Sequence, residues 1–194
     1  MLSAIILASG YSRRMGKNKL LLEYKGKTLI EHTLEAVVNS GFSEVILVAR
    51  EKEILDIGNR EKLKVIKNEN AWKGISEGIK VGVSNSGVTE GFMFFTADQP
   101  FLDNSTIKLL MNIFKENPCS IVIPSFKGRT GSPVIFPYFL KADFLKLHGD
   151  VGGKAVINTN PALVKYIELK DGIKLFDVDT MESYKYILNK EEKS

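Results

Sequence analysis

A chain of 194 residues with 44% hydrophobic and 26% charged side chains is long enough to bury one sizeable core and too apolar to be disordered or fibrous. Its net charge of +4 suits an anionic substrate but falls short of a nucleic-acid arm or a polybasic membrane patch, so neither nucleic acid nor membrane is an expected partner. The single cysteine, Cys119, excludes an internal disulfide framework.

The chain opens on an apolar stretch, Leu2 to Ala8, with its arginines afterwards. A secretory signal has the reverse order, and no window approaches the ~20 apolar residues of a membrane span, which predicts a soluble, cytoplasmic protein. Ala4 to Ala8 reads as a fully buried strand. Ile30, Leu34, Val37 and Val38 then share a helical face, with Gly41 placed to end that helix. Val45 to Val48 and Leu63 to Ile66 read as the second and third strands. Ile75, Ile79 and Gly82 line a crossover helix, and Phe92 to Phe95 form the next strand. Asp103-Asn104-Ser105 is an N-cap cluster ahead of a stripe at Ile107, Leu110, Met111 and Phe114.

Strand and helix in this alternation predict an α/β fold, a mostly parallel sheet with helices on both faces. Its site is expected at the strands' carboxyl ends, in the loops after Ala8, Val48, Lys67 and Thr96. The last third is less regular. Cys119 to Ile123 reads as a strand with a buried, inert thiol, and Ile121–Pro124 and Pro133–Phe136 as a hairpin around Lys127-Gly128-Arg129. A helix over Tyr138–Leu147, a strand over Leu163–Leu169 and a final helix after Phe176–Asp179 precede a charged tail at 190–194. No linker or repeat interrupts the chain, so one domain over residues 1–189 is expected.

The loop after the first strand concentrates polar chemistry. Gly10 and Gly16 permit a close backbone approach, Arg13, Arg14, Lys17 and Lys19 supply cations, and Ser12 a hydroxyl: a set suited to phosphates. The alternative is an exposed basic turn. It is no P-loop, because five residues separate the glycines and Asn18 stands at the hydroxyl position, and no dinucleotide fingerprint occurs. Further on, the apolar strand Phe92–Phe95 leads to Thr96-Ala97-Asp98, whose carboxylate projects into the strand-end crevice, either to hold Mg²⁺ against phosphates or to cap the following turn. No cysteine–histidine cluster for zinc and no nucleophile elbow is present.

Leu7-Ala8-Ser9-Gly10-Tyr11-Ser12-Arg13-Arg14-Met15-Gly16-Lys17-Asn18-Lys19 resembles the L-A-[AG]-G-x-S-x-R-M-G-x-x-K motif of molybdopterin nucleotidyltransferases, departing from it at Ser9. Four later stretches are similar to motifs of the same family. Ala97-Asp98-Gln99-Pro100 and Asp177-Val178-Asp179-Thr180 resemble its cytidylyl branch, whereas the guanylyl branch more often has D-M-P at the first place. Asn68 to Ser76 loosely matches N-x-x-W-x-x-G-x-S, with Trp72 read as a packing residue rather than a stacking platform. Gly131-Ser132-Pro133 has Ser132 where the family often has histidine, and Gly149-Asp150-Val151-Gly152-Gly153-Lys154 has Lys154 for arginine.

The resemblance implies a glycosyltransferase-A-like Rossmann fold, a three-layer sandwich with a β-hairpin insertion in its C-terminal third. Leu7, Ala8, Ser9, Gly10, Ser12, Asn68 and Ser76 would hold the nucleotide, Arg14 and Lys19 the triphosphate, and Asp98 with Asp177 or Asp179 the Mg²⁺. Gly131, Gly149, Asp150, Gly152, Gly153 and Lys154 would face the acceptor. The activity implied is transfer of CMP from CTP to molybdopterin or the molybdenum cofactor, whose product would pass to a molybdenum hydroxylase. GTP as donor, a sugar- or alcohol-phosphate as acceptor, or a non-catalytic cofactor carrier are the competing readings.

Overall fold

The computed structural model describes residues 1–10 and 18–191. In chain order the elements are β1 (Leu2–Ala8), β2 (Glu23–Tyr24), β3 (Lys27–Thr28), α1 (Leu29–Val38), β4 (Glu44–Ala49), α2 (Lys52–Arg60), β5 (Lys64–Lys67), α3 (Ile75–Ser84), β6 (Gly91–Thr96) and α4 (Asn104–Glu116). They continue as β7 (Ile121–Phe126), β8 (Arg129–Thr130), β9 (Val134–Pro137), α5 (Lys141–Leu145), α6 (Gly153–Thr159), β10 (Val164–Glu168) and α7 (Met181–Glu191).

One eight-stranded sheet runs in the order β10-β7-β9-β6-β1-β4-β5, with β8 added onto β7. Along that order every neighbouring pair is parallel except those of β9, which lies antiparallel between β6 and β7. The sheet is apolar on both faces, as a strand set covered on two sides must be. Ala4, Ile6, Met93 and Phe95 point to the side of α1, α2 and α4, where Leu34, Ile54 and Leu110 meet them. Ile5, Phe92 and Phe94 point to the side of α3, α5 and α6, and pack with Ile79, Phe144 and Val156. A third cluster of Tyr24, Leu29, Val178 and Ile187 ties α7 and the segment before it to α1. This is the three-layer α/β arrangement expected from the alternation of strands and helices.

The connection β1–α1–β4–α2–β5 builds the sheet outward on one side, and α3 then carries the chain back across β1 to β6. The order therefore reverses between β1 and β6, and a crevice opens at such a switch point beyond the carboxyl ends of the two strands. Helix α3 lies unusually close to β1, because Gly82 has no side chain: a Cβ there would sit 2.5 Å from Ile5 Cγ2.

Several local expectations need correction. Cys119 is exposed, not buried in a strand: the chain turns at Asn117–Ser120, and β7 begins only at Ile121. Val38 is exposed at the end of α1. The hairpin joins β7 to β8 through Lys127-Gly128, both at positive φ, while β9 pairs chiefly with β6. A 3₁₀ turn at Tyr138–Leu140 and the short α5 replace one longer helix. Helices α2 and α6 and the β2–β3 hairpin were not foreseen, and α7 takes in Lys190 and Glu191 of the expected tail. Residues 192–194 lie outside the described residues.

Alanine at position 82 is favoured over glycine by about 1 kcal/mol in a helix interior, so free space would make Gly82→Ala stabilising. Because Ile5 is fully buried and stiff at its branched β-carbon, Gly82→Ala is instead expected to destabilise the domain by about 1–3 kcal/mol, read as a lower melting temperature.

Candidate active site

At the switch point lies a cleft of about 500 Å³. Its floor is the end of β1 and the following loop, from Leu7 to Gly10, and its far wall is Thr96, Ala97 and Asp98 after β6. Lys19 enters from the chain following residues 11–17. Asn18 holds it in place: its Oδ1 accepts from Leu20 N–H at 3.0 Å, capping a 3₁₀ turn, and its Nδ2 donates to Glu51 Oε2 beyond β4. Arg14 and Ser12 lie outside the described residues.

The Lys19 ammonium donates to Asp98 Oδ2 and, at 2.7 Å, to Asp179 Oδ1. Burial opposes its charge, yet these two carboxylates hold its pKa above the ordinary lysine value. Asp98 Oδ1 is buried with no hydrogen-bond partner among the described residues. The main chain fixes the same corner, Val178 N–H donating to Asp98 O at 3.0 Å while the Val178 side chain is fully buried. Asp177 points elsewhere: Thr96 Oγ1 donates to its Oδ1 at 3.3 Å, and it lines a second cavity. Burial first, then the charges of Asp98 and Asp179, push its carboxyl up to about 6.

Asp98 was expected to hold the metal with either Asp177 or Asp179. Among the described residues no group of three metal-ligating side chains converges, since Asp177 turns to Thr96 while Asp179 turns to Lys19. Asp98 and Asp179 do form a pair around one ammonium. Magnesium commonly uses one or two carboxylates plus waters and substrate phosphates, and the unpartnered Asp98 Oδ1 supplies a free ligand atom, so these residues fit that ion.

The nucleotide-side residues divide. Leu7, Ala8, Ser9, Gly10, Lys19 and Asp98 all line the first cleft. Asn68 is buried beneath it and donates from Nδ2 to Ser9 Oγ at 3.1 Å, joining the β1 and β5 loops. Ser76 works through its backbone: its hydroxyl is fully buried, with no partner among the described residues, while its N–H donates to Gly149 O at 3.2 Å. That bond belongs to a close backbone contact. Gly74, at φ +115°, lies so near Gly149 that a Cβ would come within 2.2 Å of its carbonyl carbon.

The acceptor-side residues divide as well. Gly131, Gly153 and Lys154 line the second cavity, of about 410 Å³, whose interior is the aromatic cluster of Phe94, Phe136 and Phe144. Asp150 lines the first cleft instead, Gly149 packs on Gly74, and a Cβ at Gly152 would meet the Ile75 side chain at 3.9 Å. The reason is the Gly74–Gly149 contact, which draws that turn to the first cleft. Leu7, Ile75 and Thr96 line both cavities and form their common wall. Sequence reasoning missed Thr96, legible as the one polar residue closing the apolar β6 run, and Tyr166 and Asn158 of the second cavity, which carried no local signal. It also misjudged Trp72, which is 69% exposed and lines the first cleft rather than the core.

Residues 4–165 match the model of the MobA-like NTP transferase domain. The chain is 33% identical over 128 residues to a probable molybdenum cofactor guanylyltransferase of Natranaerobius thermophilus, covering 65% of this chain and 61% of that relative's length. It is 30% identical over 195 residues to the purine catabolism protein PucB of Bacillus subtilis, with 94% of each covered, and 27% identical to a nicotine blue oxidoreductase of Paenarthrobacter nicotinovorans, with 93% of each covered. The crystal structure of Rv0371c from Mycobacterium tuberculosis superposes with a TM-score of 0.82 at 23% identity over 97% of both chains, a likeness of fold.

The Asp177 carboxyl rises from the ordinary 3.8 to about 6 on folding. A raised folded-state value favours the protonated form, so its stabilising contribution is complete below pH ~4 and is lost as pH rises through 6. Asp177→Asn is therefore expected to melt above wild type at pH 8, by on the order of 1–2 kcal/mol, and to lose that advantage at pH 4. A pH-independent difference between the two melting curves would contradict this.

Proposed function

The chain belongs to the MobA-like NTP transferase family and is an enzyme of the nucleotidyltransferase class, and from that premise we propose that it transfers CMP from CTP to the terminal phosphate of molybdopterin or its molybdenum-loaded form. One observation carries the proposal. Two cavities meet at a common wall, with Lys19, Asp98 and Asp179 lining or bordering one and Asp177 the other. Two substrates can therefore meet end to end at a charged centre. The first cleft, with its backbone-rich β1 loop and Lys19, suits a nucleoside triphosphate; the second, aromatic inside with Lys154 at its wall, suits a ring system carrying a phosphate.

The chemistry asks little of the protein beyond positioning and charge. An acceptor phosphate monoester is mostly ionised near pH 7, its second pKa being about 6, so no general base is needed. Its oxygen forms a bond to the α-phosphorus while the bond from that phosphorus to the α–β bridging oxygen breaks, and pyrophosphate leaves with the electron pair. Lys19 neutralises charge on the departing phosphates, and Asp98 with Asp179 would hold the magnesium. When bound, that ion supplies charge neutralisation on the phosphate oxygens. Arg14, outside the described residues, is proposed as a second triphosphate contact.

The choice of CTP rests on Asp98-Gln99-Pro100 and Asp177-Val178-Asp179-Thr180, which resemble the cytidylyl branch. The name of the Natranaerobius relative favours GTP, the second reading. A cytoplasmic location and delivery of the product to a molybdenum hydroxylase follow as further parts of the proposal. Purified protein with Mg²⁺ and molybdenum cofactor is expected to release pyrophosphate with CTP and not with GTP; the opposite preference would keep the reaction and overturn the base. Asp98→Asn is expected to lose turnover by at least about a hundredfold while the domain stays folded, and substantial remaining activity would remove Asp98 from the mechanism.

A further inference from the structure

Trp72 stands out as a large apolar side chain left in solvent at a site of charge chemistry. It is 69% exposed, yet its main chain is firmly held. The preceding Ala71 is buried, Lys73 N–H donates to Asn70 O at 2.9 Å, Gly74 N–H donates to Ala71 O at 3.2 Å, and Asn70 N–H donates to the buried Asn68 side chain at 3.2 Å. Two residues after the tryptophan, Gly74 is locked against Gly149. Among the described residues no aromatic ring packs on the indole; the Lys73 ammonium lies 5.2 Å from its centroid. A rigid turn thus presents an aromatic surface to the cleft without using it for folding.

The topology says which end of the cleft this is. Across the carboxyl ends of the sheet the order is β6, β1, β4, β5. Asp98 follows β6 and, with Lys19 and Asp179, makes the charged end. The turn carrying Trp72 follows β5 and, with Ile75, Gly74 and Gly78, makes a wall of aromatic, aliphatic and glycine surface that Asp150 borders. A triphosphate directed to the charged end leaves the planar base of the same molecule at the apolar end. We infer that Trp72 is the stacking platform for the nucleobase of the bound triphosphate, a binding residue that supplies a flat face to any base and leaves base selection to polar groups lining the cleft such as Ser9, which the buried Asn68 holds in place. This rests on the reading of the first cleft as the nucleotide site.

The chain has one tryptophan, so its fluorescence reports on Trp72 alone. Titration with Mg-CTP, Mg-GTP and, as a probe lacking a base, magnesium tripolyphosphate would be followed by emission and by calorimetry in parallel. A saturable change in emission is expected with the nucleotides, at the midpoint given by calorimetry, and none with tripolyphosphate. Trp72→Phe should bind nucleotide within about threefold of wild type, and Trp72→Ala roughly tenfold to a hundredfold more weakly. Calorimetric nucleotide binding with unchanged emission, or wild-type affinity in Trp72→Ala, overturns the assignment and leaves the cleft's function standing. Absence of nucleotide binding by calorimetry overturns both.

Discussion

Everything at the site depends on one ammonium group shared by two carboxylates. Lys19, Asp98 and Asp179 come from the loop after β1, the end of β6 and the segment before α7, parts of the chain that no local contact would bring together. Lys19 and Asp98 are both largely buried, so the charge of each is compensated within the fold by the other rather than by water. The same triad closes the sheet's switch-point crevice on its C-terminal side. The backbone bond from Val178 to Asp98 and the burial of Val178 give that strap a second, apolar anchor.

From this constraint the division of labour in the crevice follows. Asp179 is drawn to Lys19 and so lines the first cleft, while Asp177, tied to Thr96, lines the second cavity. The close approach of Gly74 and Gly149 does the corresponding work on the opposite wall, pulling Asp150 into the first cleft and leaving Lys154 to the second. Two cavities with a shared wall of Leu7, Ile75 and Thr96 result.

Much of this was legible in the sequence because strong periodicity and end signals coincide. The buried runs at β1, β4 and β6 and the striped helices α1, α3 and α4 all carry them, and the position of Asp98 at a strand end followed from the alternation alone. Helix α2 escaped because only Ile54, Ile57 and Gly58 of it are buried, a thin stripe among charges. Helix α6 starts at a glycine pair of low helix propensity that reads as a loop. Cys119 was assigned to its apolar neighbours because sequence does not mark where β7 starts. The two fates of Asp177 and Asp179, and the displacement of the Gly149 turn to the first cleft, are set by contacts across the fold, for which neither spacing nor composition carries a signal. Trp72 was read as core for the ordinary reason that tryptophan seldom stands in solvent; its exposure makes sense only beside the cleft.

The central claim is that the bond broken is the one joining the α- and β-phosphates of the nucleotide. It is tested most directly by giving the purified protein, Mg²⁺ and molybdenum cofactor CTP labelled either at the α- or at the γ-phosphorus. The account predicts that the α label appears in the acceptor and the γ label in pyrophosphate, in equal amounts. A γ label in the acceptor or in inorganic phosphate, or an α label that never leaves the nucleotide pool, would contradict it.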